Sequence, residues 1–531
     1  MARRAEQVGG PPGRVLGGAV ALGLAALILG TLGAVAWRAA WGAQADGAGG
    51  PLLGPADWAA LRFTLVQAGA SALISVALAV PVARALARRR FPGRRALIAL
   101  MGAPFILPVI VAVLGLLSVF GRGGIVNAAL AALGLPAFSI YGLQGVLIGN
   151  VFFNLPLATR LILQGWQAIP AERFRLAAAL DFSSAEVAKQ IEWPMLREVA
   201  PGAALAIFLI CLTSFPIALT LGGGPRSTTL ELAIYQAFRF DFDLGRAAVL
   251  AALQFAVSGV AALIALRLAL PQASAAGLDR AVERWDARSP LLRTLDTATI
   301  ALAALFLILP LAVILAQGLP TLTHLPGIVW TSALTSLCVA LGSAVIAAGA
   351  ALALALAITG SRRPRLFEGA GMLPLAASPL VLGTGLFLIV NPWIDPAALA
   401  LPVTALVNAL LALPFGLRAL VPALREIEAA HGRLADALSL TGFARLRLLI
   451  LPRLRGPMGF TLGLSAALSM GDLGVITLFA APGEGTLPLQ LYRLMGAYRM
   501  NEAAGAALLL LVLSFGLFWL FDRGGRADAD A

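Results

Sequence analysis

Long runs of apolar residues fill most of this chain, and short polar segments separate them. A helix that crosses the core of a bilayer needs about 20 apolar residues, and twelve runs come close to that length. They lie near residues 15–37, 61–83, 96–119, 143–163, 203–221, 247–270, 294–316, 332–359, 369–390, 397–417, 459–480 and 503–521. Helices satisfy their own backbone hydrogen bonds in lipid. The pattern predicts an all-α polytopic membrane protein with about twelve transmembrane helices.

The composition also predicts a membrane protein. Of the 531 residues, 60% are hydrophobic and 12% are charged, whereas a soluble domain has about 25% charged residues. The net charge is +13, but the arginines lie at the ends of the apolar runs and form no basic stripe with interleaved aromatic residues. We therefore expect the chain to lie in a lipid bilayer and to bind no nucleic acid.

The arginines also predict an orientation. Most of the 39 basic residues lie at the two termini or in the alternate connections that share a side with the termini. The densest cluster is Arg84, Arg88, Arg89, Arg90, Arg94 and Arg95. Loops rich in arginine stay in the cytoplasm. We expect a multi-pass protein of the bacterial inner membrane with both termini in the cytoplasm.

The first run resembles a signal peptide, because Arg3, Arg4 and Arg14 precede it and Ala43-Gln44-Ala45 follows it. Its uncharged stretch, residues 15–37, is longer than the core of a signal peptide, which has about 7–15 residues. We expect a retained membrane helix.

Two long cytoplasmic connections match each other in register. Arg175 recurs as Arg433 and Pro194 as Pro452, each 258 residues later, and Ser183 corresponds to Thr441 at the same displacement. Register kept over so many positions indicates an internal repeat. The sequence therefore predicts two tandem halves of six helices each, residues 1–280 with the loop 172–202, and residues 281–531 with the loop 425–458.

Each loop reads as two helices joined by a turn. Strong helix formers precede Asp181 and Ser439, which favour turns. Ser183 and Thr441 follow at helix N-cap positions, and Glu186 completes a capping box in the first loop. We expect a second short helix that Pro194 or Pro452 stops. The alternative is a pair of amphipathic surface helices without a partner.

These loops resemble the EAA motif of permease subunits of type I ABC importers, the MetI-like family. Arginine replaces the motif's Glu, Asp181 and Ser439 replace its Gly, and Trp193 replaces a Leu. The resemblance implies that the loops couple the chain to a separate ATPase. The implied coupling residues are Arg175, Ala177, Ala178, Leu180, Asp181, Ser183 and Pro194, and Arg433, Ala435, Ala437, Leu438, Ser439, Thr441 and Pro452.

The resemblance also implies the partners. They are two copies of a cytoplasmic ABC ATPase, which would bind ATP and Mg²⁺, and a periplasmic substrate-binding protein. The only lysine of the chain, Lys189, has no preceding glycine loop, so the chain carries no phosphate-binding P-loop. Cys211 and Cys338 lie in separate apolar runs, and His324 and His431 in separate loops. We expect no catalytic residue, no metal site and no cofactor bound by this chain.

Four segments predicted on the outer side narrow the choice of substrate. Residues 221–237, 471–479, 486–492 and 495–499 resemble bacterial thiamine and thiamine pyrophosphate permeases. The resemblance implies inward transport of thiamine and its phosphates by alternating access. A ferric-iron permease shares the fused layout and is the nearest alternative. A twelve-helix secondary transporter is the alternative from another class, although a single carboxylate deep in an apolar run, Asp472, gives little for ion coupling.

The candidate translocation pathway has four residues. Asp472 lies deep in an apolar stretch, where a carboxylate is a functional candidate that could attract a thiazolium cation. Ser214 holds the equivalent position in the first half, and Tyr235 and Tyr492 mark matching helices or gates on the outer side. The alternatives are that Asp472 caps a broken helix or pairs with an arginine, and that the tyrosines are interface anchors.

Overall fold

The computed structural model describes residues 10–45, 53–267, 285, 289–481 and 483–526. Arg3, Arg4 and the predicted division between residues 280 and 281 lie outside the described residues. Every regular element within the described ranges is helical. This confirms the prediction of an all-α protein.

The first part of the chain contains twelve α-helices in its described residues. They are α1 (Gly10–Ala45), α2 (Pro55–Arg88), α3 (Arg94–Leu100), α4 (Val109–Phe120), α5 (Ile125–Ala132), α6 (Leu143–Ala168), α7 (Ala171–Ala179), α8 (Ser184–Val187), α9 (Trp193–Leu212), α10 (Phe215–Leu221), α11 (Leu230–Arg239) and α12 (Leu244–Arg267).

The second part contains ten in its described residues. They are α13 (Pro290–Gly318), α14 (Gly327–Gly360), α15 (Pro364–Met372), α16 (Pro379–Val390), α17 (Ala400–Ala437), α18 (Gly442–Arg445), α19 (Leu451–Met470), α20 (Gly474–Phe479), α21 (Leu487–Gly496) and α22 (Met500–Arg526).

Within the described part of the chain, eleven helices are long and apolar enough to cross a membrane, and twelve if one bent pair is a single span. The expected number of spans is confirmed, but four of the predicted spans are not straight. Run 369–390 bends by 93° between α15 and α16. Runs 96–119, 203–221 and 459–480 break before α4, α10 and α20. A proline stands within one residue of the start of α4, α10 and α16, where its missing N–H costs no helical hydrogen bond.

Helices recur in the same order along the chain. The starts and ends of α8 and α9 are repeated in α18 and α19 with a displacement of 258 residues, whereas α16 follows α4 by 270 residues. The difference arises between α4 and α6, where the first part has the additional helix α5. The repeat therefore extends beyond the two loops from which the sequence predicted it.

The first helix of each part packs against the other part. Helix α1 lies on α14 and α16, and α13 lies on α2 and α4. Small residues allow these close contacts, as lipid-embedded helices require: a Cβ atom at Gly385 would lie 2.5 Å from the carbonyl oxygen of Thr31 on α1. Arg89, just after α2, donates to Asp296 of α13 at 2.7 Å. The helices thus interlock into one bundle.

Candidate functional site

The first predicted coupling loop forms a helix, a tight turn and a second helix, which we call elbow 1 (residues 171–192). Helix α7 ends at Ala179 with Leu180 as its C-cap, and Asp181 follows with φ +53°. The N–H of Asp181 donates to the carbonyl of Ala178 at 3.2 Å, and the N–H of Phe182 donates to that of Ala177 at 3.0 Å. This pair of bonds is a Schellman motif, which satisfies the last helical carbonyls. Aspartate tolerates the left-handed conformation that the motif needs.

The second loop repeats this turn and forms elbow 2 (residues 429–450). Ser439 has φ +53° as well. Its N–H donates to Asp436 at 3.1 Å, and the N–H of Leu440 donates to Ala435 at 2.9 Å. The two elbows therefore share their backbone geometry, although neither has the glycine that usually occupies such a turn.

The helix starts differ between the elbows. In elbow 1, Ser183 caps α8: its hydroxyl accepts from the N–H of Glu186 at 3.3 Å, and the Glu186 carboxylate accepts from the Ser183 N–H at 2.7 Å. These bonds from the backbone and hydroxyl of Ser183 lower the pKa of Glu186 below its usual 4.5. In elbow 2, Thr441 stands at the N-cap but makes no side-chain capping bond. The predicted capping is thus present at Ser183 and absent at Thr441.

The prediction that Pro194 and Pro452 stop the second helix is wrong. Helix α8 continues through one π turn, Ala188–Glu192, into α9, and Pro194 lies in the first turn of α9. The N–H of Trp193 donates to Ala188, five residues earlier. A proline ring clashes with the carbonyl four residues before it in an α-helix, and the wider π turn moves that carbonyl away. Leu446–Ile450 forms the same π turn before Pro452.

Elbow 1 is held to the bundle by one buried carboxylate. Glu192, in the π turn, lies 2.8 Å from Arg84 and 3.6 Å from Arg88 at the end of α2. It also accepts a 3.3 Å bond from the Trp166 indole N–H of α6. A buried charge is stable only when it is paired in this way. Ile450 replaces Glu192 in elbow 2 and packs in an apolar cluster.

Elbow 2 has its ionic contact elsewhere. Arg445, buried at the end of α18, pairs with Glu428 and, at 2.7 Å, with Asp436, both on α17. Burial alone lowers the pKa of Arg445, but the hydrogen bonds and charges of the two carboxylates outweigh it and raise that pKa above its ordinary value. Gly432 leaves room, since a Cβ there would lie 3.3 Å from the guanidinium. Both elbows are therefore fixed in place, by different side chains.

The predicted coupling residues divide into buried and exposed groups. Ala177 and Ala435 are buried, and Ala178 is half-buried. The exposed members are Arg175, Leu180, Asp181, Ser183, Pro194, Arg433, Ala437, Leu438, Ser439, Thr441 and Pro452.

Matching leucines form an exposed apolar surface on each elbow. Leu176 and Leu180 of elbow 1 are 63% and 59% exposed, and Leu434 and Leu438, 258 residues later, are 59% and 62% exposed. Burying such side chains against a partner stabilises a complex by removing apolar area from water. The same exposed apolar patch is therefore present on both elbows.

A cavity of about 330 Å³ lies where broken helices from both halves meet. Pro108 precedes α4, Thr213 lies in the break before α10, Pro379 begins α16, and Asp472 lies in the break before α20; all four line the cavity. Apolar side chains that include Phe215 and Phe415 form most of the remaining wall. Broken helices are typical of substrate sites in transport proteins.

Two carboxylates from different halves line this cavity. One oxygen of Asp472 accepts from the N–H of Gly474 at 3.1 Å, and the other oxygen has no hydrogen-bond partner. The alternative that Asp472 caps a broken helix thus accounts for one of its two oxygens only. Glu231, on α11, is 1% exposed, and neither of its oxygens accepts a hydrogen bond of normal geometry, although the Ser378 hydroxyl and the Phe215 backbone lie near it.

The other predicted pathway residues lie outside the lining. The Ser214 hydroxyl donates to the carbonyl of Cys211 at 3.1 Å, within its own helix break. Tyr235 is buried and packs edge-on against Phe215, 5.4 Å between ring centroids. Tyr492 lies close to Tyr235. The structure therefore brings the two tyrosines together beside the cavity and places Asp472 in its wall.

Comparison with known proteins identifies the family. The chain is 40% identical to the thiamine transport system permease protein ThiP of Brucella abortus (strain 2308) over 482 residues, 89% of each chain. It is 41% identical to that of Salmonella typhimurium over 488 residues, 89% of this chain and 90% of the relative. The chain belongs to the thiamine transport system permease family. The Escherichia coli (strain K12) permease is 41% identical over 482 residues, 88% of this chain and 89% of the relative. No family model matches the chain.

Several residues of the elbows and of the cavity were not predicted from the sequence. Leu176 and Leu434 keep the 258-residue displacement, so the repeat could have identified them. Glu231 lies within residues 221–237, which resemble this family, but its helix α11 has ten residues and is too short to be predicted as a span. The sequence did not predict the roles of Glu192 and Arg445. The partners of Glu192 are distant in the sequence, and the ion pairs of Arg445 occur in the second half only, so the repeat does not show them.

Proposed function

We propose that this chain is the membrane permease of a binding-protein-dependent ABC importer that carries thiamine and its phosphates inward. Two features support the proposal: the family of the chain, and the two elbows that repeat the same turn and the same exposed leucines. The geometry of the elbows is the observation that supports coupling to an ATPase. The names of the relatives support thiamine as the substrate.

In this proposal each elbow docks in a groove of one cytoplasmic ATPase subunit. Leu176 and Leu180 enter one subunit, and Leu434 and Leu438 enter the other. The chain itself binds no ATP; Mg²⁺ and ATP belong to the two ATPase copies. A periplasmic binding protein delivers the substrate on the other side of the inner membrane. Both termini face the cytoplasm, as the arginine distribution favours.

The second helix of each elbow supports a route for coupling. Helices α8 and α9 are continuous from Ser184 to Leu212, and the break that follows leads to the cavity. Helices α18 and α19 connect elbow 2 to Asp472 in the same way. Movement of the ATPases toward each other would draw in both elbows, and these helices would carry the displacement to the cavity. The bistable element is then the helix bundle, which the ATPases bias.

The docking proposal is tested by replacing exposed leucines with aspartate. We expect Leu180→Asp together with Leu438→Asp to abolish co-purification of the ATPase, since charges cannot be buried unpaired. Leu133→Asp, at a leucine after α5 that is 73% exposed, is the matched control and should leave the complex intact. Normal ATPase recovery with the double variant would contradict the docking assignment.

The substrate proposal is tested by uptake in cells. A thiamine auxotroph that expresses this chain with its ATPase and binding protein should accumulate labelled thiamine, and deletion of the gene for this chain should abolish the uptake. Unchanged thiamine uptake after the deletion, with loss of ferric-iron uptake, would favour the iron alternative. Uptake that persists without any ATPase would favour a secondary transporter.

A further inference from the structure

The cavity between the two halves has walls suited to a particular kind of ligand. Its volume of about 330 Å³ lies at the lower end of the range of small-molecule sites, about 300–1,000 Å³. Phe215, Phe415 and several leucines and prolines give it an apolar surface. Such a surface stabilises a ligand with an apolar or aromatic body, whereas a hydrated metal ion would gain little from it.

Two of the polar groups in the wall are acidic and incompletely paired. Both oxygens of Glu231 and one oxygen of Asp472 accept no hydrogen bond of normal geometry, although Glu231 is almost fully buried. A buried carboxylate without a partner is costly in a bilayer, and such residues are retained for function. A positive charge in the cavity would pair with both carboxylates.

The two carboxylates come from opposite halves. Glu231 belongs to α11 of the first half, and Asp472 precedes α20 of the second. Asn408, which donates to Ser469 at 3.0 Å, adds a neutral polar group to the same wall. A ligand that contacts both carboxylates would therefore change its contacts when the halves move apart.

We propose that this cavity is a binding site within the membrane for an aromatic organic cation, held between Glu231 and Asp472. The inference rests on the proposed function, for which the charged thiazolium ring of thiamine is such a cation. Substrate would lodge here after release from the binding protein, and its charge would be paired during passage. Separation of the halves would then weaken the site and release the cation to the cytoplasm.

The test uses the complete transporter, with ATPase and binding protein, reconstituted in proteoliposomes. Glu231→Gln and Asp472→Asn each remove one charge and keep the shape of the side chain. We expect each to lower the rate of labelled thiamine uptake about tenfold or more, because a desolvated charge pair is lost. ATP hydrolysis stimulated by the loaded binding protein should remain, since the elbows are untouched. Glu198→Gln, at an exposed carboxylate on α9, is the matched control and should transport normally.

The outcomes separate this inference from the proposed function. Absence of thiamine uptake by the unmodified transporter would overturn the proposed function itself. Normal uptake by the unmodified transporter and by both variants would overturn the cation site alone. Loss of stimulated ATP hydrolysis together with uptake in both variants would also overturn the site, because it would assign the carboxylates a structural role.

Discussion

At the scale of single residues, charges at the elbows are buried only where they are paired. Glu192 has two arginines and an indole around it, and Arg445 has two carboxylates. The residues at equivalent positions, Ile450 and Val187, are apolar and also buried. In elbow 1 the ionic contact is at Glu192 and the apolar contact at Val187. In elbow 2 the position equivalent to Glu192 is apolar and the position equivalent to Val187 is ionic. The repeat preserves the shape of the elbow and not the chemistry that supports it.

Removal of Arg445 tests this support. Arg445→Met leaves Glu428 and Asp436 without their partner, and we expect a loss of about 3 kcal/mol in the free energy of unfolding. The midpoint of thermal unfolding in detergent measures it. Arg425→Met is the matched control, because the Arg425–Glu368 pair at 2.9 Å is 57% and 42% exposed. Exposed pairs contribute about 1 kcal/mol or less. Equal shifts in the two variants would show that burial of Arg445 does not matter.

At the scale of secondary structure, the two elbows differ in how their second helix begins. Ser183 and Glu186 close a capping box, whereas Thr441 makes no capping bond and Ala444 stands in place of the glutamate. The glycine after Thr441 has φ +55°, which turns the backbone away from the usual capping geometry. The first helical turn of α8 is therefore better fixed than that of α18.

Alanine at the two cap positions should have unequal effects. Ser183→Ala loses a capping bond that stabilises the helix by about 1 kcal/mol, so amide hydrogen exchange at residues 184–187 should accelerate. Thr441→Ala loses no such bond and should leave exchange at residues 442–445 unchanged. Similar acceleration in both elbows would contradict the assigned caps.

The capping box also has a defined pH dependence. Because the native pKa of Glu186 is lowered from 4.5, its contribution is fully present above pH 4.5. It is lost as the pH falls through the lower native value. Protection of residues 184–187 should therefore be constant near neutral pH and decline only in acid. In Glu186→Gln the decline should disappear, and a decline that persists in this variant would contradict the assignment.

At the scale of the whole molecule, the halves interlock through their first helices and meet again through aromatic rings. Phe238 of the first half packs on Phe387 of the second, 4.4 Å between centroids, and Phe387 packs on Phe479. These contacts lie beside the cavity helices α16 and α20. The division at residue 280 therefore remains a prediction about the repeat in the sequence, while the bundle is held together by both halves.

The orientation of the bundle is open to a direct test. With both termini in the cytoplasm, a green fluorescent protein fused after residue 526 should fluoresce. Alkaline phosphatase inserted between α5 and α6 should be active, because that connection lies outside. Phosphatase inserted in the loop between α2 and α3, which carries the arginine cluster, is the control and should be inactive. The reverse pattern would overturn the orientation, and with it the cytoplasmic position of the elbows.

The sequence by itself determined the membrane class, the number of spans and the position of both elbows. These features depend on local properties: the length of an apolar run, the preference of a residue for a turn, and a repeat kept in register. Asp181 and Ser439 could be placed at turns because short-range sterics decide that choice.

Only the tertiary structure decided which distant residues meet. Glu231 and Asp472 are 241 residues apart in number, and breaks in helices from both halves bring them to one cavity. The contacts of Glu192 with Arg84 and Arg88 of α2 and with Trp166 of α6 likewise join residues far apart in the chain. Contacts between residues far apart in the chain leave no periodic pattern in the sequence, so neither the cavity nor the ionic contacts of Glu192 could be predicted from it.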